Sequence, residues 1–258
     1  MPRLLGGLLL VTSCASLPGA GLAACDVRSG PKVAALVELY TSEGCSSCPP
    51  ADRLLSRLPQ ALDPAAEAVP LALHVDYWDY IGWQDPYALA AFGERQGWLV
   101  RTNRRKTAYT PHFFVNGLEV RTGRDELRDR VRQQNALAAA AAIRVQASLA
   151  QDGTLAIHVA ATARVDAEPV ALYVTIAESG LASNVQRGEN RGAKLAHDHV
   201  ARDWFGPVRL QDGEATLRRS VALPASWNRE RLQVVAFVQG EHTARVFQAL
   251  GARGCVAP

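Results

Sequence analysis

The sequence predicts an α/β domain followed by a separate all-β domain. Over residues 33–142, apolar runs alternate with segments of helical spacing, in the order strand, helix, strand, helix, strand, strand, helix. Over residues 143–258, apolar and polar residues alternate without a long helical segment, which is typical of a β-sandwich. We therefore expect a domain boundary at residue 142.

The first 24 residues are predicted to be a signal peptide that is not part of the fold. Arg3 precedes the apolar stretch LLGGLLLV, and the small residues GLAA follow, which is the order of a secretory signal. We expect cleavage between Ala23 and Cys25 and a periplasmic or secreted protein. LAAC also resembles the box at which lipoproteins are cut, so a lipid anchor at Cys25 is the minority interpretation. No later segment has 18 consecutive apolar residues, so no transmembrane span is expected.

The composition is that of an ordinary globular protein. Hydrophobic residues make up 48% of the 258 residues, and the formal net charge is +3. A net charge this small does not predict a nucleic-acid partner. No cofactor is expected.

The elements of the first half can be assigned in chain order. The runs VAALVELY and VPLALHV are short and apolar, whereas ADRLLSRL has leucines at helical spacing. The predicted elements are a strand at 33–40, a helix at 51–58, a strand at 69–75, a helix at 85–106, strands at 111–117 and 118–123 joined by an Asn-Gly turn, and a helix at 124–142. Strand, helix and parallel strand in succession place the first loop at the carboxyl edge of the sheet, where open α/β sheets carry their sites.

The second half contains a hairpin signal and a long polar stretch. Asp152-Gly153 separates two alternating segments and predicts a hairpin, and PVALYVTIAESG, GEATLRRSVALP and LQVVAFVQG predict further strands. The stretch Ser183–Trp204 is long enough to be a functional or mobile loop. Within it, His197-Asp198-His199 is a candidate metal clip. Two histidines in a solvated loop or at a strand edge are the favoured alternative, because no third ligand is evident.

Four cysteines remain after removal of the predicted signal peptide. An even count in an oxidising compartment predicts disulfides, with three ways of pairing them. Cys45 and Cys48 are close in sequence and pair with each other when oxidised. Cys25 and Cys255 stand at the two ends of the mature chain, and the termini of compact domains are often close. We therefore predict a structural Cys25–Cys255 bond, which in the chain-entropy model stabilises the fold by up to about 5 kcal/mol.

The order of the motifs resembles that of thioredoxin-like proteins. Cys45-Ser-Ser-Cys48 opens a helix, and Thr110-Pro111 enters a strand that ends at Asn116-Gly117. More closely, VELYTSEGCSSCPPADRLL, HVDYWDYIGWQDPYA and YTPHFFVNG resemble the secreted bacterial family called domain of unknown function 1223 (DUF1223). The resemblance implies a thioredoxin-like domain over residues 33–142, with a cis peptide before a catalytic Pro111 that packs beside the cysteines. It implies no established reaction.

The cysteine pair predicts thiol–disulfide exchange. A thiolate is the attacking species, and a helix N-terminus or a partner thiol lowers the pKa of a thiol into the working range. Cys45 comes first and is expected to face solvent, so we assign it the attack, and Cys48 resolves the mixed disulfide. Pro49-Pro50 delay the helix, and Asp52 lies in its first turn.

Glu38 is predicted to act as the base of this reaction. It lies inside the first strand, where it resembles the buried acid that relays the proton of the second cysteine in related oxidoreductases. A carboxylate among apolar residues is costly unless it is used or paired. The alternative is a Glu38 that reaches solvent at the strand edge.

The residues after the second strand are candidates for substrate binding. HVDYWDYIGW should reach the same edge of the sheet, so Trp78, Asp79 and Trp83, together with Thr110, are predicted to line a groove. Aromatic residues with a polar tip suit partly exposed recognition surfaces. The alternative is a loop folded over the core by its own aromatic residues. His74 is predicted to be an ordinary strand residue.

His112 follows Pro111 and is a candidate for two roles. It would stabilise a Cys45 thiolate, or it would join Cys45 and Cys48 as the third ligand of a soft metal ion such as Cu(I). Strand alternation argues against an inward His112, because only one of His112 and Phe113 faces the core and the phenyl ring gains more from burial.

Three functions are open from the sequence. We favour an exported thiol–disulfide oxidoreductase acting on protein or peptide thiols. The first alternative is an extracytoplasmic copper-binding protein that uses Cys45, Cys48 and His112. The second is a non-enzymatic interaction protein in which the disulfide is only structural.

Overall fold

The computed structural model describes residues 24–121 and 123–255. The predicted signal peptide lies outside the described residues, apart from Ala24. In these ranges the strands are β1 (Ala24–Arg28), β2 (Ala35–Thr41), β3 (Ala68–His74), β4 (His112–Val115), β5 (Leu118–Val120), β6 (Ala141–Leu149), β7 (Thr154–Ala163), β8 (Val170–Glu178), β9 (Leu181–Asn184), β10 (Lys194–His197), β11 (Val200–Arg209), β12 (Glu214–Ala222), β13 (Leu232–Gly240) and β14 (Val246–Arg253). The helices are α1 (Pro49–Ser56), α2 (Leu58–Ala61), α3 (Ala90–Thr102) and α4 (Gly123–Asn135), and short 3-10 helices span Asp76–Ile81 and Arg229–Arg231. No helix of these two ranges is long and apolar enough to cross a membrane.

One eight-stranded mixed sheet runs through the molecule in the order β14-β13-β8-β11-β3-β2-β4-β5. β2 and β3 are parallel and in register from Ala35↔Ala68 to Thr41↔His74. β4 is antiparallel to β2. β11 pairs with β3 through Val200↔Ala72 and runs antiparallel to β8 along most of its length. Strands from both halves of the sequence therefore belong to a single sheet.

The expected fold class, an α/β thioredoxin-like domain followed by a separate β-sandwich, is wrong. β11 joins the two halves by pairing with β3 on one side and β8 on the other. The physical reason lies in β8 and β13, in which every residue is buried. Strands with near-continuous apolar runs are covered on both faces, whereas a sandwich strand exposes alternate residues to solvent.

The two faces of the large sheet are covered differently. On one face, α3 and a cluster of apolar residues extend across both halves, joining Leu36, Tyr40 and Phe114 to Tyr173 and Phe237. On the other face, α1, α2 and α4 pack against β2, β3 and β4. The same face of β8 and β13 packs against the second sheet. Each large side chain that is fully buried contributes about 1.5–3 kcal/mol, so the shared cluster holds the halves together.

The second sheet is antiparallel and has the order β1-β6-β7-β12. Burial alternates along β6, with apolar residues toward the large sheet and polar ones outward. β6 and β7 form the predicted hairpin, with Leu149 opposite Leu155 and Gly153 in the left-handed region at φ +84°. The hairpin prediction is therefore confirmed.

The predicted helix at 124–142 is shorter in the structure. α4 ends at Asn135, and β6 begins at Ala141. Alanine favours helices, but Ala141 and Ala142 pair with β7 opposite Ala163 and Thr162. Tertiary pairing therefore overrides local propensity at this point.

The ends of the described chain are joined by a disulfide between Cys25 and Cys255, with 4.9 Å between their Cα atoms. Cys25 lies in β1, and Cys255 follows β14. The predicted pairing is confirmed, and the bond ties the edge of the second sheet to the edge of the large sheet.

Candidate active site

Cys45 and Cys48 lie in the loop that leaves the carboxyl end of β2 and enters α1. The two cysteines are bonded to each other. Cys48 is the N-cap residue of α1, and Pro49 and Pro50 occupy the first helical positions. Proline is tolerated there because the first N–H groups of a helix have no intrahelical acceptor. The cysteine loop therefore lies at the carboxyl end of β2, which is where the sequence predicts it.

Both cysteines are buried, and the expectation that Cys45 faces solvent is wrong. Cys45 is 1% exposed and Cys48 is 0% exposed. Ser46 and Ser47, between them, are exposed. The loop thus presents its serines to solvent and its sulfur atoms to the interior.

A polar hairpin lies against the cysteine loop. We call residues 181–197, which comprise β9, β10 and their connection, the cover hairpin. The backbone N–H and the hydroxyl of Ser46 donate to Glu189 Oε2 at 3.0 and 2.7 Å. The side-chain amide of Asn190 donates to the carbonyl oxygens of Glu43 and Cys45 at 2.8 and 3.0 Å. Most of the long polar stretch seen in the sequence is therefore a cover over the cysteine pair.

The cover hairpin also meets the loop that follows β3. Gly188 has φ +76°, and a Cβ atom there would lie 2.8 Å from Ile81 Cδ1. Only glycine suits both the backbone conformation and the close approach. The fit of Gly188 against Ile81 and Trp83 fixes the hairpin beside the cysteine loop.

Five ionisable side chains are buried next to this loop, and we call them the acid–histidine cluster: Glu43, Asp52, His74, Asp85 and His197. His74 Nδ1 lies 2.7 Å from Asp85 Oδ2, and His197 Nε2 lies 3.0 Å from Glu43 Oε1. The centroids of the two imidazole rings are 5.0 Å apart, and the rings pack edge to face. The cluster joins the loops after β2 and β3, helix α1 and the cover hairpin.

Two polar atoms of the cluster lack hydrogen-bond partners. Within the described ranges, His74 Nε2 and His197 Nδ1 are buried without one. His197 Nδ1 is 3.9 Å from Asp52 Oδ2. Asp52 Oδ1 accepts a hydrogen bond of 2.8 Å from Thr41 Oγ1 at the end of β2. Asp52 therefore lies between the strand that precedes the cysteines and the cover hairpin.

The neighbours in the cluster set the pKa values of three of its members. Burial raises the pKa of Asp52 above its ordinary value, and His74, His197 and Thr41 only partly oppose this. Burial alone would lower the pKa of His74, but the adjacent Asp85 carboxylate raises it overall. Burial alone would raise the pKa of Asp85, but His74 and two backbone N–H groups hold it below its ordinary value. His74 and Asp85 therefore favour a charged pair, whereas Asp52 keeps its proton to a higher pH than an ordinary aspartate.

Sequence reasoning missed most of this cluster. Asp52 was assigned only to the first turn of a helix, and His74 to an ordinary strand position. Glu43 and Asp85 lie within the quoted motifs TSEGC and GWQDPYA, where no periodicity shows their burial. The candidate clip His197-Asp198-His199 is not formed. His197 is bound to Glu43, and Asp198 accepts a hydrogen bond from the backbone N–H of Gly180. Both histidines are buried, so they do not lie in a solvated loop either.

Glu38 lies on the other face of the sheet. It shares that face with Tyr40 and Leu36, whereas α1 covers the face of Val37 and Leu39. Arg95 Nε donates to Glu38 Oε1 at 2.7 Å, and the Tyr40 hydroxyl donates to the same oxygen at 3.1 Å. Glu38 is therefore buried and paired with a cation from α3, and the structure does not bring it to the cysteines.

His112 is also on the face opposite α1. Its ring nitrogens lie 3.3 Å from Gln96 Nε2 and 3.2 Å from Glu119 Oε1, and the ring stacks on Tyr109. The expectation that Phe113 is the more buried residue is wrong, because His112 is buried and Phe113 is half-buried. Both faces of β4 are covered, so strand alternation does not determine which of His112 and Phe113 is the more buried.

The structure does not assemble the candidate copper ligands. His112 has partners at both nitrogens, and the two cysteine sulfur atoms are bonded to each other. In the parts of the chain that the structure describes, no group of three or more His, Cys, Asp and Glu side chains is placed to hold a metal ion.

The candidate groove residues make hydrogen bonds within the site, Trp78 with Thr110 and the other two with residues of the acid–histidine cluster. Trp78 Nε1 donates to Thr110 Oγ1 at 2.8 Å, and Trp83 Nε1 donates to Glu43 Oε2 at 2.8 Å. Asp79 Oδ1 accepts from the backbone N–H of Asp85 at 3.2 Å. The Thr110–Pro111 peptide is cis. These side chains therefore hold the loop after β3 against the rest of the site. This arrangement is the one expected for a loop that is folded over the core by its own aromatic residues.

Comparison with known proteins identifies relatives of this chain but no activity. The model of the family described as "Protein of unknown function (DUF1223)" matches residues 36–239, in agreement with the motif resemblance. The crystal structure of a structural-genomics protein from Agrobacterium tumefaciens is similar over 88% of this chain and 96% of that chain, with 24% identity and a TM-score of 0.61. HBP35 of Porphyromonas gingivalis is similar over 89% of this chain and 78% of that chain, with 16% identity and a TM-score of 0.68. These likenesses show a shared fold. No curated protein matches the chain significantly.

Proposed function

The chain belongs to the DUF1223 family, and we propose that it is a thiol–disulfide oxidoreductase that uses Cys45 and Cys48 on protein or peptide thiols. The observation that carries the proposal is the position of this disulfide beside the acid–histidine cluster. A purely structural disulfide has no need of five buried ionisable groups, each of which costs free energy to desolvate. Buried titratable groups cluster at functional sites because proton transfer requires them.

The proposed reaction oxidises a substrate dithiol. A substrate thiolate attacks Cys45 Sγ, the Cys45–Cys48 bond breaks, and Cys48 Sγ leaves with the electron pair. The second substrate thiolate then attacks the substrate sulfur of the mixed disulfide, and Cys45 Sγ leaves. The substrate loses two electrons and two protons, the protein disulfide gains the two electrons, and Cys45 and Cys48 each end as a thiol that carries one proton. The reverse sequence reduces a substrate disulfide.

We further propose that the protein works in the periplasm or outside the cell. The Cys25–Cys255 bond supports this, because stable disulfides form mainly in oxidising compartments. The signal-like order of the first 24 residues supports it independently. A reducing cytoplasm would keep both pairs open.

One observation favours a second candidate function. Cys45 is 1% exposed, and a disulfide that no thiol can reach only staples its loop. In that case the protein would be a non-enzymatic interaction protein. The two candidates differ in whether the pair exchanges with thiols.

Replacing each cysteine in turn tests the proposed function. We expect the wild-type protein to oxidise a reduced, unfolded protein substrate and Cys45→Ser to lose this activity, because the attacked sulfur is gone. Cys48→Ser in its reduced form should accumulate mixed disulfides with oxidised substrate through Cys45, because no second thiol resolves them. Both are measured by nonreducing electrophoresis and mass spectrometry.

The matched control removes the other disulfide. Cys25→Ala/Cys255→Ala should keep the exchange activity, because neither cysteine belongs to the Cys45–Cys48 loop or to the acid–histidine cluster. Equal activity in wild type and Cys45→Ser would reject the oxidoreductase and favour the structural disulfide.

A further inference from the structure

The burial of Cys48 raises the question of where its proton comes from. Cys48 is 0% exposed, yet its sulfur must gain a proton when the disulfide is reduced and lose it when the disulfide forms again. Bulk water does not reach a sulfur at this position while the fold is closed. A neighbouring group must therefore hold that proton.

We infer that Asp52 exchanges the proton of Cys48 and that His197, carried by the cover hairpin, positions Asp52 for this role. The inference rests on the proposed function for its place in a reaction cycle. Its geometry stands by itself.

Asp52 is one helical turn after Cys48. The backbone N–H of Asp52 donates to the carbonyl oxygen of Cys48 at 3.0 Å. Side chains four residues apart in a helix lie on the same face, with about 5–6 Å between their Cβ atoms. The side chains of Asp52 and Cys48 therefore lie on the same face of α1, and both are buried, with Asp52 7% and Cys48 0% exposed.

The other buried acids are committed to stronger partners. Glu38 is paired with Arg95 on the opposite face of the sheet. Both oxygens of Glu43 accept hydrogen bonds, from His197 and Trp83. Asp85 accepts from His74 and from two backbone N–H groups. Asp52 differs, because Thr41 occupies Oδ1 while Oδ2 has only the distant His197 Nδ1.

The ionisable and hydrogen-bonding groups around Asp52 come from four parts of the chain. His197 on β10 faces it directly, and His74 on β3 acts on it electrostatically. Asp85, in the loop after β3, opposes the effect of His74, and Thr41 on β2 donates the hydrogen bond. Burial outweighs these contributions and raises the pKa of Asp52. A protonated Asp52 is therefore available at a higher pH than for an ordinary aspartate.

The proton transfer balances within the proposed reaction. When the attacking thiolate forms its bond to Cys45, Cys48 Sγ leaves as a thiolate and takes the proton of the Asp52 carboxyl. Asp52 becomes a carboxylate that keeps the hydrogen bond from Thr41, and its Oδ2 faces His197 Nδ1 at 3.9 Å. When the disulfide forms again, Cys48 returns the proton to Asp52.

His197 connects this step to access. It is the last residue of β10, so displacement of the cover hairpin removes it from both Asp52 and Glu43. The hairpin that covers the cysteine loop thus also carries the imidazole that faces the proton donor. Opening the site and setting the proton affinity of Asp52 are therefore coupled.

Reduction of the Cys45–Cys48 disulfide by dithiothreitol tests the inference. Rates are measured from pH 4 to 9, at concentrations where they rise linearly with dithiothreitol, and are divided by the concentration of its thiolate. For wild type we expect the corrected rate to fall as the pH rises through the pKa of Asp52, because only the protonated form donates. Asp52→Asn should be slower on the order of 100-fold at the acidic end and lack this ionisation.

Further variants separate a proton donor from a structural residue. Asp52→Glu should restore an ionisation to the profile, and His197→Asn should shift its position without removing it. Asp129→Asn, an exposed aspartate on α4, should match wild type. Circular dichroism and an intact Cys25–Cys255 bond establish folding for each variant.

The outcomes are distinguishable from those of the proposed function. An Asp52→Asn profile with the wild-type ionisation and rate would overturn the inference. Loss of the ionisation in Asp52→Asn supports it, even if wild type exchanges no disulfide with any protein, in which case the proposed function alone fails.

Discussion

At the scale of single residues, three buried histidines show how neighbours decide the charge of an imidazole. Asp85 raises the pKa of His74 in spite of burial. Burial lowers the pKa of His112, and the hydrogen bond to Glu119 does not compensate. Burial and the nearby Arg253 lower the pKa of His199 to about 4. The same residue type thus supports a charged pair at one position and stays neutral at the others.

His199→Asn is predicted to make the protein more resistant to acid. The pKa of His199 is about 4 in the folded protein and about 6.5 in the unfolded chain. Between these values the unfolded chain binds a proton that the folded protein does not, so stability falls as the pH drops from about 6.5 to 4. The variant lacks this loss, which amounts to at most about 3 kcal/mol. Asparagine also tolerates the left-handed φ of +60° at this position.

Urea unfolding at pH 8 and pH 4.5 measures the effect. The free energy of unfolding of wild type should fall more between the two pH values than that of His199→Asn. Parallel decreases in the two proteins would contradict the assignment of a low pKa to His199.

At the scale of elements, the cover hairpin is the least anchored part of the site. β9 and β10 form a two-stranded sheet that is separate from the other two sheets. An isolated hairpin is marginally stable, so its position depends on the contacts of Glu189, Asn190, Gly188 and His197. The bonds between Glu189 and Ser46 are exposed, so water competes for both partners and the bonds hold the hairpin weakly. Opening of this hairpin is therefore the least costly route to the buried disulfide.

Glu189→Ala/Asn190→Ala is predicted to speed reduction of the Cys45–Cys48 bond by dithiothreitol. The double variant removes four hydrogen bonds to the cysteine loop. A loss of about 1.4 kcal/mol from the closed state raises the open population tenfold, so we expect a rate increase of roughly tenfold at constant pH. Gln186→Ala is the control, because its side chain donates to Asn184 within the hairpin. An unchanged rate in the double variant would mean that thiols reach the cysteines by another path.

At the scale of the whole molecule, the sequence predicted the local elements better than their assembly. The strand before the cysteines, the helix after them, the parallel strand and the hairpin at Asp152-Gly153 were all predicted from apolar periodicity and turn residues. The place of β8 and β13 in the large sheet was not predicted, because their apolar runs indicate that both faces are covered but not which strands lie beside them. The acid–histidine cluster was missed for a similar reason, because its members come from four separate segments.

The large sheet predicts that residues 33–142 do not form a stable unit by themselves. Without the second half, β3 loses its partner β11 and presents an unpaired edge. Leu36, Tyr40 and Phe114 lose their packing against Tyr173 and Phe237, and Arg95 loses Gln239. Exposing this apolar face costs about 25 cal/mol for each Å² of surface. Because the net free energy of folding of a domain is small, the fragment does not remain folded against this cost. We therefore expect the isolated fragment to be unfolded or aggregated, as judged by circular dichroism and proteolysis.

The full chain should unfold in urea in one step, with circular dichroism and tryptophan fluorescence giving coincident transitions. Tryptophans occur in both halves, at positions 78, 83, 98, 204 and 227, so the fluorescence reports on each half. A fragment that resists protease and unfolds cooperatively, or two separate transitions in the full chain, would restore the two-domain arrangement that the shared sheet contradicts.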